Sequence, residues 1–193
     1  MFKEVLSTEA IPVIESLAPH LKMFYLAGGS GLALQLGHRK SNDLDFFSDS
    51  LFNTDAILSL ISADKVFFTS KGSVHCEIKG IRVSFLYYGI PLIYPTVSWH
   101  GIKVADYRDI VAEKIKTISQ RGSKKDFIDL YAVLKIKFSV AEVCELFKRR
   151  FRDTGINYYH VLKSLIFFED AEQEPSPLII LSGEEWKWEK VKS

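Results

Sequence analysis

Apolar and polar positions come in short bursts through the first hundred residues, and then settle into a helical period. Ser7 to Leu21 repeats apolar residues at helical spacing, with Ser7 or Thr8 as the expected cap and Pro12 in the early turns. "MFYLAG" is a short apolar run that stops at Gly28-Gly29 and predicts a buried strand. Leu32, Leu34 and Leu36 follow in a piece too short for its period to decide. Ser30 as a cap and Gly37 as a terminator favour a helix there. "DLDFF" predicts the next strand, and residues 54–63 a helix capped by Thr54.

Three β-like stretches come next, at 65–70, 74–79 and 81–88. The last two flank Lys79-Gly80, which predicts a tight hairpin. Residues 99–104 are expected to add an edge strand. From Tyr107 the period is helical throughout, over 107–121, 124–136, 140–151 and 157–170. Ser139 followed by Glu142 forms a capping box for the third of these helices. "EQEPSPL" reads as a linker, and "GEEWKWEKVKS" as a charged end. The order is a mixed front half and a helical back half, the α+β class. It divides into a core at 1–105, a helical region at 106–172 and a linker with tail at 173–193.

Composition narrows the functional classes. Of 193 residues 47% are hydrophobic, enough for a substantial core, and the formal net charge is only +1. Nucleic-acid binding therefore needs a local patch, for which Lys135, Lys137, Lys148, Arg149, Arg150 and Arg152 are the candidates. Cys76 and Cys144 are isolated, which argues against a disulfide framework and a zinc ribbon, and a reducing cytoplasm is expected. The N-terminus carries Glu4, Glu9 and Glu15 and does not read as a signal peptide. No apolar run has the length of a membrane span.

The chemistry concentrates in "LAGGSGLALQLGHRKSNDLDFF". Residues i and i+2 of a strand share a face, so Asp43 and Asp45 point together while Leu44 and Phe46 face the core. Two carboxylates roughly 6–7 Å apart along a strand can converge on a hard cation, and Mg²⁺ takes a few such oxygens plus substrate phosphate. The Gly28-Gly29-Ser30 turn suits the other half of a phosphate site, with backbone N–H groups at a helix start. A turn aspartate and a surface ion pair are the plain alternative.

A second constellation lies on two later helices. At about 100° per residue, Lys114 and Arg121 fall inside the apolar arc of Val111, Ile115 and Ile118. On the next helix Asp126 sits within the apolar face, and Asp129 lies between Val133 and Ile136. The short link makes the two helices antiparallel neighbours. An interhelical salt-bridge cluster and a phosphate-binding role for Lys114 and Arg121 are both compatible with this pattern. His38 and Arg39 either touch phosphate or belong to a solvated loop. Trp186 and Trp188 either stack on a base or pack.

A glycine-serine turn, then about ten residues, then D-h-D on a strand resembles the DNA-polymerase-β-like nucleotidyltransferase superfamily. "AGGSGLALQLGHRKSNDLDFF" together with "DIVAEKIKTISQRGSKKDFIDLYAVL" resembles its AbiEii/AbiGii-type toxins. That resemblance implies a polymerase-β-like core with a small mixed or antiparallel sheet, followed by a C-terminal helical region. It implies an NTP substrate and Mg²⁺ or Mn²⁺ held by Asp43 and Asp45. It also implies nucleotide transfer to an acceptor, tRNA or another RNA, with an antitoxin as partner. Gly28, Gly29, Ser30, Lys114 and Arg121 would then bind nucleotide, with His38 and Arg39 as further candidates. Lys114 and Asp126 would join the aspartates in catalysis.

One position departs from that pattern. The superfamily carries a third carboxylate on a neighbouring strand, and Ser84 stands where it is expected. If the hairpin is correct, His75 opposes Ser84 and Glu77 opposes Arg82. Glu77 is then a possible third ligand, His75 an alternative, and Asp126 a base from the helical side. A Glu77–Arg82 ion pair is the plain reading. Two other functional classes remain beside transfer to RNA. One is a catalytically degenerate binding module, and the other is transfer to a small-molecule or protein hydroxyl.

Overall fold

The computed structural model describes residues 1–193. Helix α1 (Ala10–Leu17) leads into β1 (Tyr25–Leu26), α2 (Gly28–Leu36), β2 (Leu44–Ser48) and α3 (Thr54–Leu60). Strands β3 (Lys65–Ser70), β4 (Ser73–Ile78) and β5 (Ile81–Tyr87) follow, then β6 (Val97–Trp99) and β7 (Ile102–Val104). The helical half comprises α4 (Tyr107–Arg121), α5 (Lys124–Ile136), α6 (Val140–Phe151), α7 (Tyr158–Ser164), α8 (Glu169–Glu172) and α9 (Trp188–Val191). The class is α+β.

All seven strands join one mixed sheet in the order β3-β4-β5-β2-β1-β7-β6. β2 runs parallel to β5 and β1 parallel to β7, while the other pairs are antiparallel. Alternation works as the sequence implies. Leu44, Phe46, Val74, Cys76, Val83 and Phe85 are buried on one face, in a core closed by α1 and α3. The opposite face carries Asp45, His75 and Ser84 and looks into a cleft. A second core joins α4 to α8. Helix α2 serves both, with Ala33 and Leu34 in the first core and Leu32 and Leu36 in the second.

Several boundaries differ from the sequence expectation. α1 begins at Ala10, and neither Ser7 nor Thr8 caps it: the Thr8 hydroxyl donates to Glu9, and the Ser7 hydroxyl has no partner. α3 is capped by Asn53, whose side chain accepts from the amides of Asp55 and Ala56, and not by Thr54. Residues 97–104 form a hairpin in which His100 and Gly101 take positive φ; β6 is the edge and β7 is an inner strand. The helix expected over 157–170 is two pieces. The amides of Leu165, Ile166 and Phe167 bond three residues back, which tightens the chain out of the α-helix. Phe168 can then meet Phe127 at 4.8 Å. The Lys79-Gly80 turn and the Ser139–Glu142 capping box form as expected.

Residues 173–193 pack against the rest of the chain. Arg39 bridges Ile179, and Trp186 and Trp188 pack on Tyr131, Phe127 and Phe168. Packing, the plainer option for these tryptophans, is what the structure shows.

Candidate active site

The site is a cleft of about 1220 Å³ between the open sheet face and the helical half. Its floor is set where β1 turns into α2. Gly28 takes φ +62°, and a Cβ there would lie 3.0 Å from an Asp45 carboxylate oxygen, so this turn requires glycine. Gly29 is equally confined, since its Cβ would stand 2.4 Å from the Arg39 guanidinium. The helix begins at Gly28, so Ser30 is not its cap. Ser30 is buried in the first turn and donates to the Ser41 hydroxyl and the Asp43 carbonyl. That contact ties the start of α2 to the loop carrying the first aspartate. First-turn N–H groups have no acceptor within a helix, and Gly28, Gly29 and Ser30 line the cleft.

Asp43 immediately precedes β2 and is exposed, while Asp45 lies within the strand and is half-buried. Both line the cleft. Asp45 is in register with Ser84 on β5. The hairpin register is the expected one: His75 opposes Ser84 and Glu77 opposes Arg82. His75 Nδ1 lies 3.1 Å from Ser84 Oγ, and its Nε2 lies 3.1 Å from Ser73 Oγ. Arg82, His75 and Ser84 line the cleft and Glu77 does not. Glu77 and Arg82 form no ion pair. No group of three metal-ligating side chains gathers anywhere. The donor set is therefore two carboxylates. It fits a hard cation that takes its remaining oxygens from water and substrate phosphate.

The wall opposite is the charged cluster that the helical spacing foreshadowed. Lys114 Nζ lies 2.6 Å from both Asp126 Oδ1 and Asp129 Oδ2. Arg121 donates to Asp126 through Nε at 2.9 Å. Asp129 also accepts from His38 Nε2 at 2.7 Å and from Arg39 Nε and Nη2 at 2.6 and 2.9 Å. Burial would raise the Asp129 carboxyl, but Arg39 and Lys114 more than offset it and hold the group well below the usual carboxylate range. Asp126 is lowered in the same way, against its own burial, by Lys114 and Arg121. Burial acts against the Lys114 ammonium, yet Asp129 and Asp126 leave it raised. The salt-bridge reading of these helices is thus correct.

His38 and Arg39 are not a solvated loop: they are 1% and 3% exposed. Arg39 reaches the cleft wall, whereas His38 stands behind Asp129, away from the lining residues. Arg121 keeps a side chain 54% exposed while its inner edge is anchored on Asp126. Burial acts against its charge, but Asp126 and, after it, Asp45 leave its pKa raised.

Three features escaped the sequence reading. Asp129 is the hub of the cluster, although only its awkward place on the helix wheel hinted at it. Lys125 is exposed on the cleft without an ion pair, and it looks in sequence like any solvated lysine. The far end of the cleft has its own buried network. Asp109 accepts from the Ile93 and Tyr94 amides and pairs with Arg150. Tyr88 donates to Glu113 at 2.8 Å. Beside them Tyr25, Phe47 and Tyr88 form an aromatic wall, with centroids 6.1 Å apart in each successive pair. Burial pushes the Tyr25 hydroxyl up to about 12, so it stays protonated at neutral pH. Arg150, a candidate for a basic surface, is buried here instead.

Known proteins share this architecture. Residues 88–189 match the family described as nucleotidyl transferase AbiEii toxin, type IV TA system. That segment holds the Lys114–Asp126 cluster and lies wholly after the aspartate pair. An uncharacterised Aquifex aeolicus protein, aq_aa25, is 36% identical over 177 residues, 87% of this chain and 82% of that protein. Two Helicobacter pylori structures share the fold. JHP933 aligns at TM-score 0.50 and 16% identity over 85% of this chain and 92% of its own. A structure assigned as a nucleotidyltransferase aligns at TM-score 0.53 and 18% identity, over 95% and 89%.

Proposed function

Since the chain belongs to the AbiEii nucleotidyl transferase toxin family and is a nucleotidyltransferase, we propose that it transfers a nucleotide from an NTP to a hydroxyl of RNA, tRNA first among the acceptors. In this reading Asp43 and Asp45 hold Mg²⁺ or Mn²⁺, a cognate antitoxin limits the reaction, and the cytoplasm is its setting. No helix is long and apolar enough to cross a membrane. The observation that carries the reading is convergence. The Gly28–Ser30 turn, both aspartates, Lys114 and Arg121 come from distant parts of the chain and line one cleft, while Asp126, fully buried behind them, holds the two cations in place.

The triphosphate lies at the start of α2, where free N–H groups favour an anion. Lys125 and the exposed edge of Arg121 contact it from the helical side. Lys114 is held by two carboxylates, so its charge is fixed in place before substrate arrives, which suits stabilisation of charge developing on phosphate. The nucleoside rests against Tyr25, Phe47 and Tyr88. A divalent ion at the aspartates would neutralise phosphate charge and align the acceptor oxygen with the α-phosphorus. The acceptor hydroxyl attacks in line, its proton passes to a nearby base or solvent, and pyrophosphate leaves.

The test is incorporation of each labelled NTP into total tRNA, with Mg²⁺ or Mn²⁺, by the parent protein, Asp45→Ala, Lys114→Ala and Lys125→Ala. Label is expected in RNA with the parent, and a loss of at least a hundredfold in Asp45→Ala and Lys114→Ala. Lys125→Ala, which leaves the buried cluster intact, should raise KM for NTP severalfold. Label in no RNA under any condition, or equal activity in Asp45→Ala, would defeat the proposal.

A further inference from the structure

Strand β3 is an edge that the rest of the fold leaves open. All six of its residues are exposed, and Val66, Phe67 and Phe68 are 46%, 47% and 54% accessible. Three consecutive large apolar residues on an unpaired edge are a liability that folded proteins normally blunt or use. Here the register leads from that edge to the chemistry. Phe68 opposes His75, His75 opposes Ser84, and Ser84 is in register with Asp45. One row of side chains thus crosses four strands on one face and ends at a proposed metal ligand. At about 4.8 Å per strand it spans roughly 14 Å, a few nucleotides of single strand at the stacked rise.

The row is open to solvent and continuous with the cleft. Phe67, His75, Arg82 and Ser84 line the same cavity as Asp45. The register shifts between Val66 and Phe68, and this irregularity brings Phe67 to the cleft while Phe68 faces His75, ring centroids 5.9 Å apart. Arg82 is exposed and unpaired even though Glu77 stands opposite, and Lys65 lies 5.1 Å over the Phe67 ring. Exposed aromatic faces interleaved with unpaired cations match single-stranded RNA, whose bases stack and whose phosphates need a counter-charge.

We propose that Phe67, Phe68, His75 and Arg82 form the docking platform for the unpaired end of the RNA acceptor. Phe68 stacks on a base and Arg82 contacts phosphate, and together they deliver the terminal hydroxyl along the row toward Asp45. This rests on RNA being the acceptor, and it adds where RNA lies. NTP enters from the α2 and α5 side and RNA crosses the β3–β5 face, so the two substrates approach Asp45 from different directions.

The test is fluorescence anisotropy of a short labelled unpaired RNA with the full chain, alongside direct binding of Mg·NTP. Phe68→Ala should weaken RNA binding about tenfold, the size of one lost base–aromatic stack, with NTP affinity unchanged. Phe68→Trp should retain RNA binding, and its added indole fluorescence should be quenched by RNA. Arg82→Ala should reduce the slope of log K against log salt by about 0.7. Absence of RNA binding by the parent, or binding within twofold in both Phe68→Ala and Arg82→Ala, overturns the platform. So does a sedimentation result in which Phe68→Ala dissolves a dimer, because the edge is then a contact between copies. Transfer to RNA at unchanged KM in Phe68→Ala sinks the platform and leaves the transferase reading. Phe68-dependent RNA binding without transfer does the reverse.

Discussion

Gly29 shows how tightly single residues are specified here. Its Cβ would meet the Arg39 guanidinium at 2.4 Å, and that guanidinium cannot swing away because two of its nitrogens hold Asp129. Gly29→Ala should therefore cost about 1–3 kcal/mol, the range for overpacking, and displace Arg39 from the cleft wall. Urea denaturation and an NTP-binding titration would measure both effects, and a variant as stable as the parent would contradict the geometry. Ser84 makes the opposite point, because it lies beside Asp45 with room for chemistry it lacks. Ser84→Asp places a third carboxylate in register with Asp45 and should tighten Mn²⁺ binding by about tenfold or more, read by titration without nucleotide. Unchanged affinity would mean that Ser84 does not face the metal position.

At the scale of elements, the buried pair α4 and α5 is held by charge as well as by packing. Asp129 serves Lys114, Arg39 and His38, so Asp129→Asn leaves the buried Arg39 without its counter-ion and Lys114 with Asp126 alone. Breaking such a pair costs about 3–5 kcal/mol, far beyond a surface substitution. The pH dependence has a definite sign. The folded pKa values of Asp126 and Asp129 lie below the ordinary 3.8. Their stabilisation is therefore complete above the unfolded value and is lost as pH falls through the folded ones. As pH falls below the ordinary carboxylate value of 3.8 the parent should lose stability more steeply than Asp129→Asn; parallel denaturation curves would refute this. The same helices show what sequence can disclose. Lys114, Arg121 and Asp126 were visible because a charge on an apolar arc demands a partner. Asp43 and Asp45 were visible because strand alternation needs only two residues. Asp129 as a hub was not, because its partners His38 and Arg39 lie about ninety residues away and no local period connects them. Ser30 was misread for a related reason, since its acceptors on the 41–43 loop exist only after the chain has folded back.

At the scale of the whole molecule, two cores share one cleft, and the C-terminal segment fastens them together. Ser123 precedes α5 but makes no side-chain cap. Glu174 performs that service from fifty residues away, accepting from the Ser123 hydroxyl at 2.7 Å and the Lys124 amide at 2.8 Å. A few residues on, the same segment pairs with the loop before β2: Lys40 donates to the Leu178 carbonyl and Ile180 to the His38 carbonyl. One strap thus holds the helix bearing Lys125, Asp126 and Asp129 and the loop bearing His38 and Arg39. A stretch rich in proline and glutamate reads as a linker because its contacts are all long-range. Its arrangement predicts that Glu174→Ala has consequences beyond a lost cap. The cap itself contributes about 1 kcal/mol. Released at that point, the strap should also exchange amide hydrogens faster at Lys40 and Ile180, and KM for NTP should rise while the sheet amides stay protected. Faster exchange confined to residues 172–176 would mean that Glu174 is only a local cap. Faster exchange at both ends, with weaker NTP binding, would show that the walls of the cleft are held in position by its own C-terminal segment.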